Sequence, residues 1–336
     1  MKWLVRSFFA ISVLAAAALI GGLFLPSRAR VERSVSIDRP PATVYTLLSS
    51  LRTYHDWSPW AREEPGAVFG FEGPDFGVGA TYLWAGEAIG AGEMMIVRAE
   101  PYDVIEAAVD LGPQGGAHMT FDIEPKPGGS TVTWSYDTEF GLNLIGRYAG
   151  RFFDRQLGQD FTQGLVNLKA HAERLPGADF AGIEAAVVTV APAPAVVYAG
   201  QVRGGSAEQE AAFERALTAV RLAMREAELR EAGPAIAVTN RWEPPLWVFE
   251  AAVPYGGEPN DGIGDAVSFG ETPGGRAVRA IHRGAPSGVA PLGTKLEAYV
   301  AAHRLTAREP TWEVRVTERD ETPAEEQVTE IYIPVE

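Results

Sequence analysis

The stretch PTWEVRVT, at residues 310–317, carries the residue types most suited to chemistry. Successive side chains of a strand point to opposite faces, so Trp312 would lie on one face while Glu313 and Arg315 share the other. Two interpretations are open. The polar face lies in water, or it directs Glu313 into a pocket that receives a cation.

The neighbouring charge of Arg315 decides what Glu313 could bind. If Arg315 points into the same pocket, it neutralises Glu313 and favours neutral or anionic ligands. If it extends to the rim, a cation-binding carboxylate remains. A buried and unpaired carboxylate is costly and has a raised pKa, so the sequence requires one of these two arrangements.

Aromatic side chains that could form the wall of this pocket occur in the same part of the chain. They are Trp242, Trp247, Phe249, Trp312 and Tyr332. His282 is either a proton carrier beside Glu313 or a structural or exposed histidine at a strand end. The five histidines show no metal-ligand spacing, and no phosphate loop, nucleophile elbow or dinucleotide fingerprint occurs, so we predict no metal and no cofactor.

Composition narrows the partners. The formal charge of −15 makes nucleic acid an improbable ligand, because phosphate binding needs a basic surface. The absence of cysteine excludes disulfides and thiolate catalysis. A chain of 336 residues with 46% apolar content is long and apolar enough for two packed domains. The expected ligand is therefore a small molecule.

The N-terminal segment, residues 1–30, predicts a membrane anchor. Lys2 and Arg6 precede an uncharged apolar run over residues 8–25, which as a helix just spans a hydrocarbon core of about 30 Å. We expect a single-pass anchor in the inner (cytoplasmic) membrane, with the rest of the chain outside the cytoplasm. A cleaved signal peptide is the alternative, because small residues flank Arg28.

Residues 31–175 predict a first domain. A strand at 31–38 and a helix from Pro40 precede closely spaced short strands over 67–140, which indicates an antiparallel meander; a long helix follows at 143–174. With its opening VERSVSIDRPPATVYTLLSSLRTYHDWSPW, this segment resembles the SRPBCC or START-like (polyketide cyclase-like) superfamily. The resemblance implies a helix-grip fold, in which a curved antiparallel sheet holds the long helix over an apolar cavity.

Four tryptophans of this domain are candidates for lining that cavity. They are Trp57, Trp60, Trp84 and Trp134. Ordinary packing in the core is an equally good interpretation of the same residues.

Residues 183–336 predict a second domain that contains an internal repeat. At an offset of 80 residues, Arg203-Gly204 matches Arg283-Gly284, and Glu250 matches Glu330. Each half shows the order strand, helix, strand, strand. The predicted elements are strand 195–202, helix 206–232 and strands 235–241 and 246–253, then strand 276–282, helix 288–305 and strands 311–317 and 328–334. We therefore expect a pseudo-twofold βαββ duplication with a ligand site between its halves.

The repeat sets Glu313 apart. Aligning Pro234 with Pro310 places Ala237 opposite Glu313, so that one half has a small apolar residue where the other has a charge. A carboxylate needed only for folding would be expected in both halves. The single Glu313 is more typical of a site.

The motifs RAIHRGAP, PTWEVRVT and TPAEEQVTEIYIPV are similar to those of the GyrI-like family, the effector-binding domain found in AraC- and MerR-type regulators. The resemblance implies binding of small, often cationic or aromatic molecules, with a buried glutamate on a late strand facing the ligand. That glutamate maps onto Glu313. Arg315 departs from the family pattern, which often has tyrosine there.

Together these features predict an α+β protein of two cavity-forming domains. We expect a membrane-tethered protein that senses or sequesters apolar, aromatic or cationic small molecules. The alternative is a hydrolase of small electrophilic compounds that uses Glu313. No helix-turn-helix segment precedes the second domain, so direct control of transcription is not expected.

Overall fold

Two units, Met1–Asp179 and Phe180–Glu336, divide the chain. The computed structural model describes residues 2–64, 66–112, 115–259 and 263–336. Helices lie against antiparallel sheets in both units, which confirms the predicted α+β fold class.

In the described part of the first unit there are four α-helices and seven strands. The helices are α1 (Lys2–Leu23), α2 (Pro41–Leu48), α3 (Leu51–Trp57) and α4 (Leu144–Ala172). The strands are β1 (Arg28–Ile37), β2 (Val68–Glu72), β3 (Thr81–Ala85), β4 (Ala91–Glu100), β5 (Val104–Asp110), β6 (Gly116–Lys126) and β7 (Gly129–Glu139). They form one antiparallel sheet in the order β1-β7-β6-β5-β4-β3-β2.

The long helix α4 packs on this sheet. It begins at Asn143, whose side chain accepts a hydrogen bond from the Gly146 N–H at 2.9 Å and so caps the first turn. Its inward face buries Phe161, Leu165 and Leu168 among apolar side chains of the strands. This is the helix-grip arrangement that the sequence predicts.

The N-terminal segment does form a helix, α1. Within the residues that the structure describes, however, no helix combines the length and the apolar character needed to cross a membrane. The membrane anchor predicted for residues 1–30 is therefore not supported.

Among its described residues, the second unit has two α-helices and nine strands. The helices are α5 (Ser206–Glu226) and α6 (Val289–Ala302). The strands are β8 (Ala185–Val190), β9 (Pro194–Arg203), β10 (Arg230–Glu231), β11 (Ala235–Glu243), β12 (Leu246–Gly256), β13 (Ser268–Glu271), β14 (Gly275–Arg283), β15 (Thr311–Arg315) and β16 (Val328–Pro334). The main order is β13-β9-β12-β11-β15-β16-β14-β8, and β10 pairs with β12.

This strand order confirms the duplication. β11 and β15 are neighbours at the centre of the sheet. On the side of β11 lie β12 and β9, which belong to the first half of the repeat, and on the side of β15 lie β16 and β14, which belong to the second half. Ala237 and Glu313, matched by the repeat, are direct cross-strand partners. The pseudo-twofold relation therefore centres on this pair.

Both helices end earlier than the sequence pattern predicts, and for the same reason. Glu228 and Arg304 each adopt a φ of 58°. The next residue in each case, Leu229 or Leu305, donates its N–H back to a carbonyl of the last helical turn. This closure is a Schellman motif, which ends a helix and usually has glycine at the left-handed position. The signal is hard to read from sequence here because neither residue is glycine.

Candidate functional site

Glu313 lies in the middle of one cross-strand row of the second sheet. Directly paired residues point to the same face, and the pairing gives the row Ala280, Ile331, Glu313, Ala237, Ala251 and Tyr198. Ala237 and Ala251 pack with α5, while Ala280 and Ile331 pack with α6. Glu313 is therefore on the helix-bearing face, between the parts of the sheet that the two helices cover.

The Glu313 carboxylate has no hydrogen bond and no ion pair within the described part of the chain. Burial raises the pKa of Glu313, because the charged form loses its hydration. The charges of Arg315 and Arg319 lower this pKa, and the charge of Glu210 raises it. The net direction is upward, so desolvation outweighs the two arginines.

The Arg315 side chain is paired with residues other than Glu313. Its guanidinium forms ion pairs with Glu214 and, at 3.0 Å, with Glu210, both on α5. The same group lies 4.2 Å above the centre of the Phe213 ring, in a cation–π contact. Arg319 also pairs with Glu210. Arg315 is buried on the face of Glu313, yet its hydrogen bonds go to α5.

The charges around the site do not balance. Arg315 and Arg319 are matched by Glu210 and Glu214, which leaves Glu313 as a surplus negative charge. The sequence could not choose between neutralisation by Arg315 and its extension to the rim. The structure shows a third arrangement, in which partners on a helix distant in sequence hold the arginine.

Two of the predicted aromatic residues share the face of Glu313. Trp247 and Phe249 stack with ring centres 4.3 Å apart, and Phe213 of α5 lies against both. The Trp247 indole N–H donates to the Thr239 hydroxyl at 3.0 Å. Phe249 is cross-strand partner to Thr239, two residues along β11 from Ala237. This aromatic group lies beside the Glu313 row.

The three other predicted aromatic residues occupy two different places. Trp312 and Tyr332 stack on the opposite face of the sheet, with ring centres 5.0 Å apart. The Tyr332 hydroxyl donates to Glu330 at 2.5 Å, and burial raises the pKa of Tyr332 to about 12. Trp242 is 51% exposed near the end of β11. Strand alternation separates Trp312 and Tyr332 from Glu313, whereas Trp242 is the cross-strand partner of Trp247. A role of these three in ligand binding stays a prediction.

His282 is on the helix-bearing face but in the next row, with Thr329 and Arg315. Its Nε2 lies 2.7 Å from the Ala285 carbonyl oxygen, so the ring is engaged by backbone at the end of β14. The structure gives it a structural contact and no contact with Glu313. Within the described residues, no group of three or more His, Asp or Glu side chains could hold a metal ion.

The four candidate tryptophans of the first unit pack against one another or against aromatic neighbours. Trp134 stacks on Phe161 at 3.9 Å, and Trp57 and Trp60 meet it edge-on at 5.5 and 5.8 Å. Trp84 tilts against Tyr82. Trp57 and Trp134 are fully buried, so these residues belong to the core. Their indole N–H groups have no hydrogen-bond partner in the described residues.

Sequence reasoning missed the acidic residues of α5. Glu210 and Glu214 are one helical turn apart and flank Phe213, which lies on the apolar stripe of that helix. Two carboxylates next to an apolar stripe were the available signal. It indicates a buried cation nearby, but it cannot name Arg315, which is about a hundred residues away.

Two family models match the chain. Residues 28–173 match the model described as polyketide cyclase / dehydrase and lipid transport, and residues 249–336 match the GyrI-like small molecule binding domain. These matches support the two-domain architecture and a ligand-binding or sensing role. The second begins inside β12, so the exact domain bounds stay a prediction.

Solved structures show only distant similarity. The EcmrR C-terminal domain is 14% identical, with a TM-score of 0.41, over 46% of this chain and 98% of that one. A hydrolase from Listeria innocua is 13% identical, with a TM-score of 0.33, over 45% and 91%. The Aha1 dimer from Colwellia psychrerythraea is 14% identical, with a TM-score of 0.31, over 43% and 96%. No curated protein matches the chain. Similarities at this level carry no conclusion about function.

Proposed function

We propose that the second unit binds small organic cations with an apolar or aromatic body, and that the protein senses or sequesters such compounds. The observation that carries this proposal is the unpaired carboxylate of Glu313 beside two arginines that are already paired. A half-buried carboxylate that has lost part of its hydration gains from a cation that replaces it.

The side chains around Glu313 suit the body of such a ligand. The cross-strand row of Glu313 contains Ala237, Ala251 and Ala280, whose small, buried side chains place no polar group beside the carboxylate. The stacked rings of Trp247 and Phe249 lie one row away and offer an aromatic surface. A ligand with a cationic centre and aromatic groups could contact both.

A hydrolase remains the second candidate, and the pKa of Glu313 favours it specifically. Burial raises the pKa of Glu313, so its carboxyl group holds a proton more readily than an exposed glutamate, which suits general acid–base catalysis. In that case Glu313 would take a proton from water as the water attacks an electrophilic substrate.

The sequence-based location stays a prediction: residence at an inner membrane with both units outside the cytoplasm. For the first unit, a ligand-binding role is proposed from the matched description of its family model.

Thermal unfolding with a matched pair of compounds tests the proposal. Tetraphenylphosphonium is the cation, and triphenylphosphine oxide is a neutral compound of similar shape. We expect the cation to raise the Tm of the wild type and to have little effect on the Tm of Glu313→Gln. The neutral compound should shift the Tm of both proteins by the same amount. Glu250→Gln is the control, because it removes a carboxylate from a strand of the same sheet on the opposite face.

Equal Tm shifts in the wild type and in Glu313→Gln would remove Glu313 from the site. For the hydrolase, the same variants are incubated with an aryl epoxide, and diol formation is followed by chromatography. Diol produced by the wild type and not by Glu313→Gln would favour the enzyme over the binding protein.

A further inference from the structure

The start of α4 presents large apolar side chains to solvent. Leu142, Ile145 and Phe152 are 86%, 83% and 66% exposed. Ile145 and Phe152 are about two helical turns apart, so they lie on one face of α4. The inward face of the same helix is already occupied by Phe153 and Leu157, which pack on the core. The exposed residues are thus a second apolar face without a partner in the first unit.

The C-terminal end of α1 extends this face. A Cβ atom at Gly22 would lie 3.2 Å from the Leu144 Cβ, so the two helices approach closely there. Arg147 donates hydrogen bonds to the carbonyl oxygens of Leu23 at 3.1 Å and Leu25 at 3.3 Å. These contacts hold the end of α1 beside α4 while Leu23 and Phe24 stay 56% and 85% exposed. The apolar surface therefore spans two helices.

Positive charge borders the surface although the protein as a whole is strongly acidic. Arg151 and Arg155 are exposed, lie one turn apart on α4 and have no ion pair in the described residues. The complete chain has a formal charge of −15. An apolar face with a basic border is complementary to an anionic bilayer surface, where apolar groups enter the acyl boundary and arginines meet the headgroups.

We propose that this surface, formed by Leu23, Phe24, Leu142, Ile145, Phe152, Arg151 and Arg155, docks onto anionic lipid bilayers. In such docking, the two helices lie in the plane of the membrane interface, and no helix needs to span the membrane. A symmetric contact with a second copy fits less well, because it would bring the arginines of the two copies towards one another. The inference is independent of Glu313 and of any ligand.

Site-specific fluorescence tests the docking in the complete chain. The protein has no cysteine, so Ile145→Cys and Phe152→Cys can each carry a single environment-sensitive nitrobenzoxadiazole label. Val68→Cys, on β2 of the same unit and 71% exposed, is the matched control. With vesicles of phosphatidylcholine and phosphatidylglycerol, we expect blue-shifted emission and quenching by brominated lipids at 145 and 152 but not at 68.

Removing the arginines tests the choice of lipid. Arg151→Gln and Arg155→Gln are each expected to weaken vesicle binding about fivefold, since a basic residue near an anionic surface contributes about 1 kcal/mol. Arg241→Gln, in the second unit, should leave binding unchanged. The proposal is overturned by equal emission at 145 and 68, by binding that ignores phosphatidylglycerol, or by a blue shift that depends on protein concentration without vesicles.

Discussion

The two units place very different side chains at the middle of similar sheets. In the first unit the central row runs through Ile105, Phe121 and Trp134, and the ring of Trp134 is covered by Phe161 of α4. In the second unit the corresponding row runs through Ala251, Ala237 and Glu313. Helices cover one face of a sheet in both cases. Bulky rings fill that face in the first unit, whereas in the second unit small buried side chains surround one half-buried charge.

The comparison also shows two ways of burying polar groups. The first unit leaves the indole N–H groups of Trp57 and Trp134 without partners, inside a core of large contact area. The second surrounds Arg315 with two carboxylates and an aromatic ring, and leaves the carboxylate of Glu313 without a partner. An unpartnered charge costs more than an unpartnered N–H, so Glu313 is the more informative of the two.

The largest effect is expected from Trp134→Ala. It deletes a fully buried ring and its stack on Phe161, and should lower the free energy of unfolding by about 3–5 kcal/mol. Trp242→Ala, at a half-exposed site of the second unit, should change it by about 0.5 kcal/mol or less. Urea unfolding followed by circular dichroism measures both, and similar values would contradict the assignment of Trp134 to the core.

Arg315→Ala should cause the next largest loss in the free energy of unfolding. It leaves Glu214 without its cation and Glu210 with Arg319 alone, and it removes the contact with Phe213. The loss should be about 2 kcal/mol, below that for a fully buried pair, because the two carboxylate side chains are 41% and 45% exposed. The exposed pair of Arg241 with Glu243 is the control, and Arg241→Ala should cost about 0.5 kcal/mol or less. Equal losses would mean that burial of Arg315 contributes nothing.

A smaller change, now in the free energy of ligand binding, is expected from Ala237→Leu. This substitution gives the central row of the second unit a large side chain like those in the central row of the first unit. The larger side chain would occupy space beside Glu313, and we expect the affinity for tetraphenylphosphonium to fall about tenfold, or about 1.4 kcal/mol. Ala211→Leu adds the same group at an exposed position of α5 and should leave the affinity unchanged. Isothermal titration calorimetry measures both. Unchanged binding to Ala237→Leu would show that the ligand does not use this row.

The smallest expected effect is a difference between wild type and Glu313→Gln in how the free energy of unfolding changes with pH. The pKa of Glu313 is raised in the folded state, so folding favours its protonated form. The stability from this group is complete below the ordinary glutamate pKa, about 4.5, and is lost as pH rises through the raised value. The free energy of unfolding of the wild type should therefore fall, relative to Glu313→Gln, as pH increases above about 4.5. Urea titrations across this range should diverge, and parallel curves would contradict the raised pKa.

Much of the fold could be predicted because it depends on local patterns. Alternating strands, the long amphipathic helix and the repeat around Ala237 and Glu313 are all visible in the sequence, and the structure confirms them. The helix ends at Glu228 and Arg304 were missed because a left-handed residue other than glycine gives no clear signal. The site was predicted less well, since pairing across the sheet decides which aromatic side chains meet.

By itself, the sequence determined the α+β class, the duplicated order of elements in the second unit, and the alternation that separates Trp312 from Glu313. These follow from side-chain periodicity, which is a property of neighbours along the chain. Only the tertiary structure decided which charged side chains pair with one another around Glu313. The carboxylates that hold Arg315 lie on α5, about a hundred residues earlier, and no local pattern reports such a contact. Because packing brought those charges together, Arg315 is paired, and within the described residues Glu313 has no ion-pair partner.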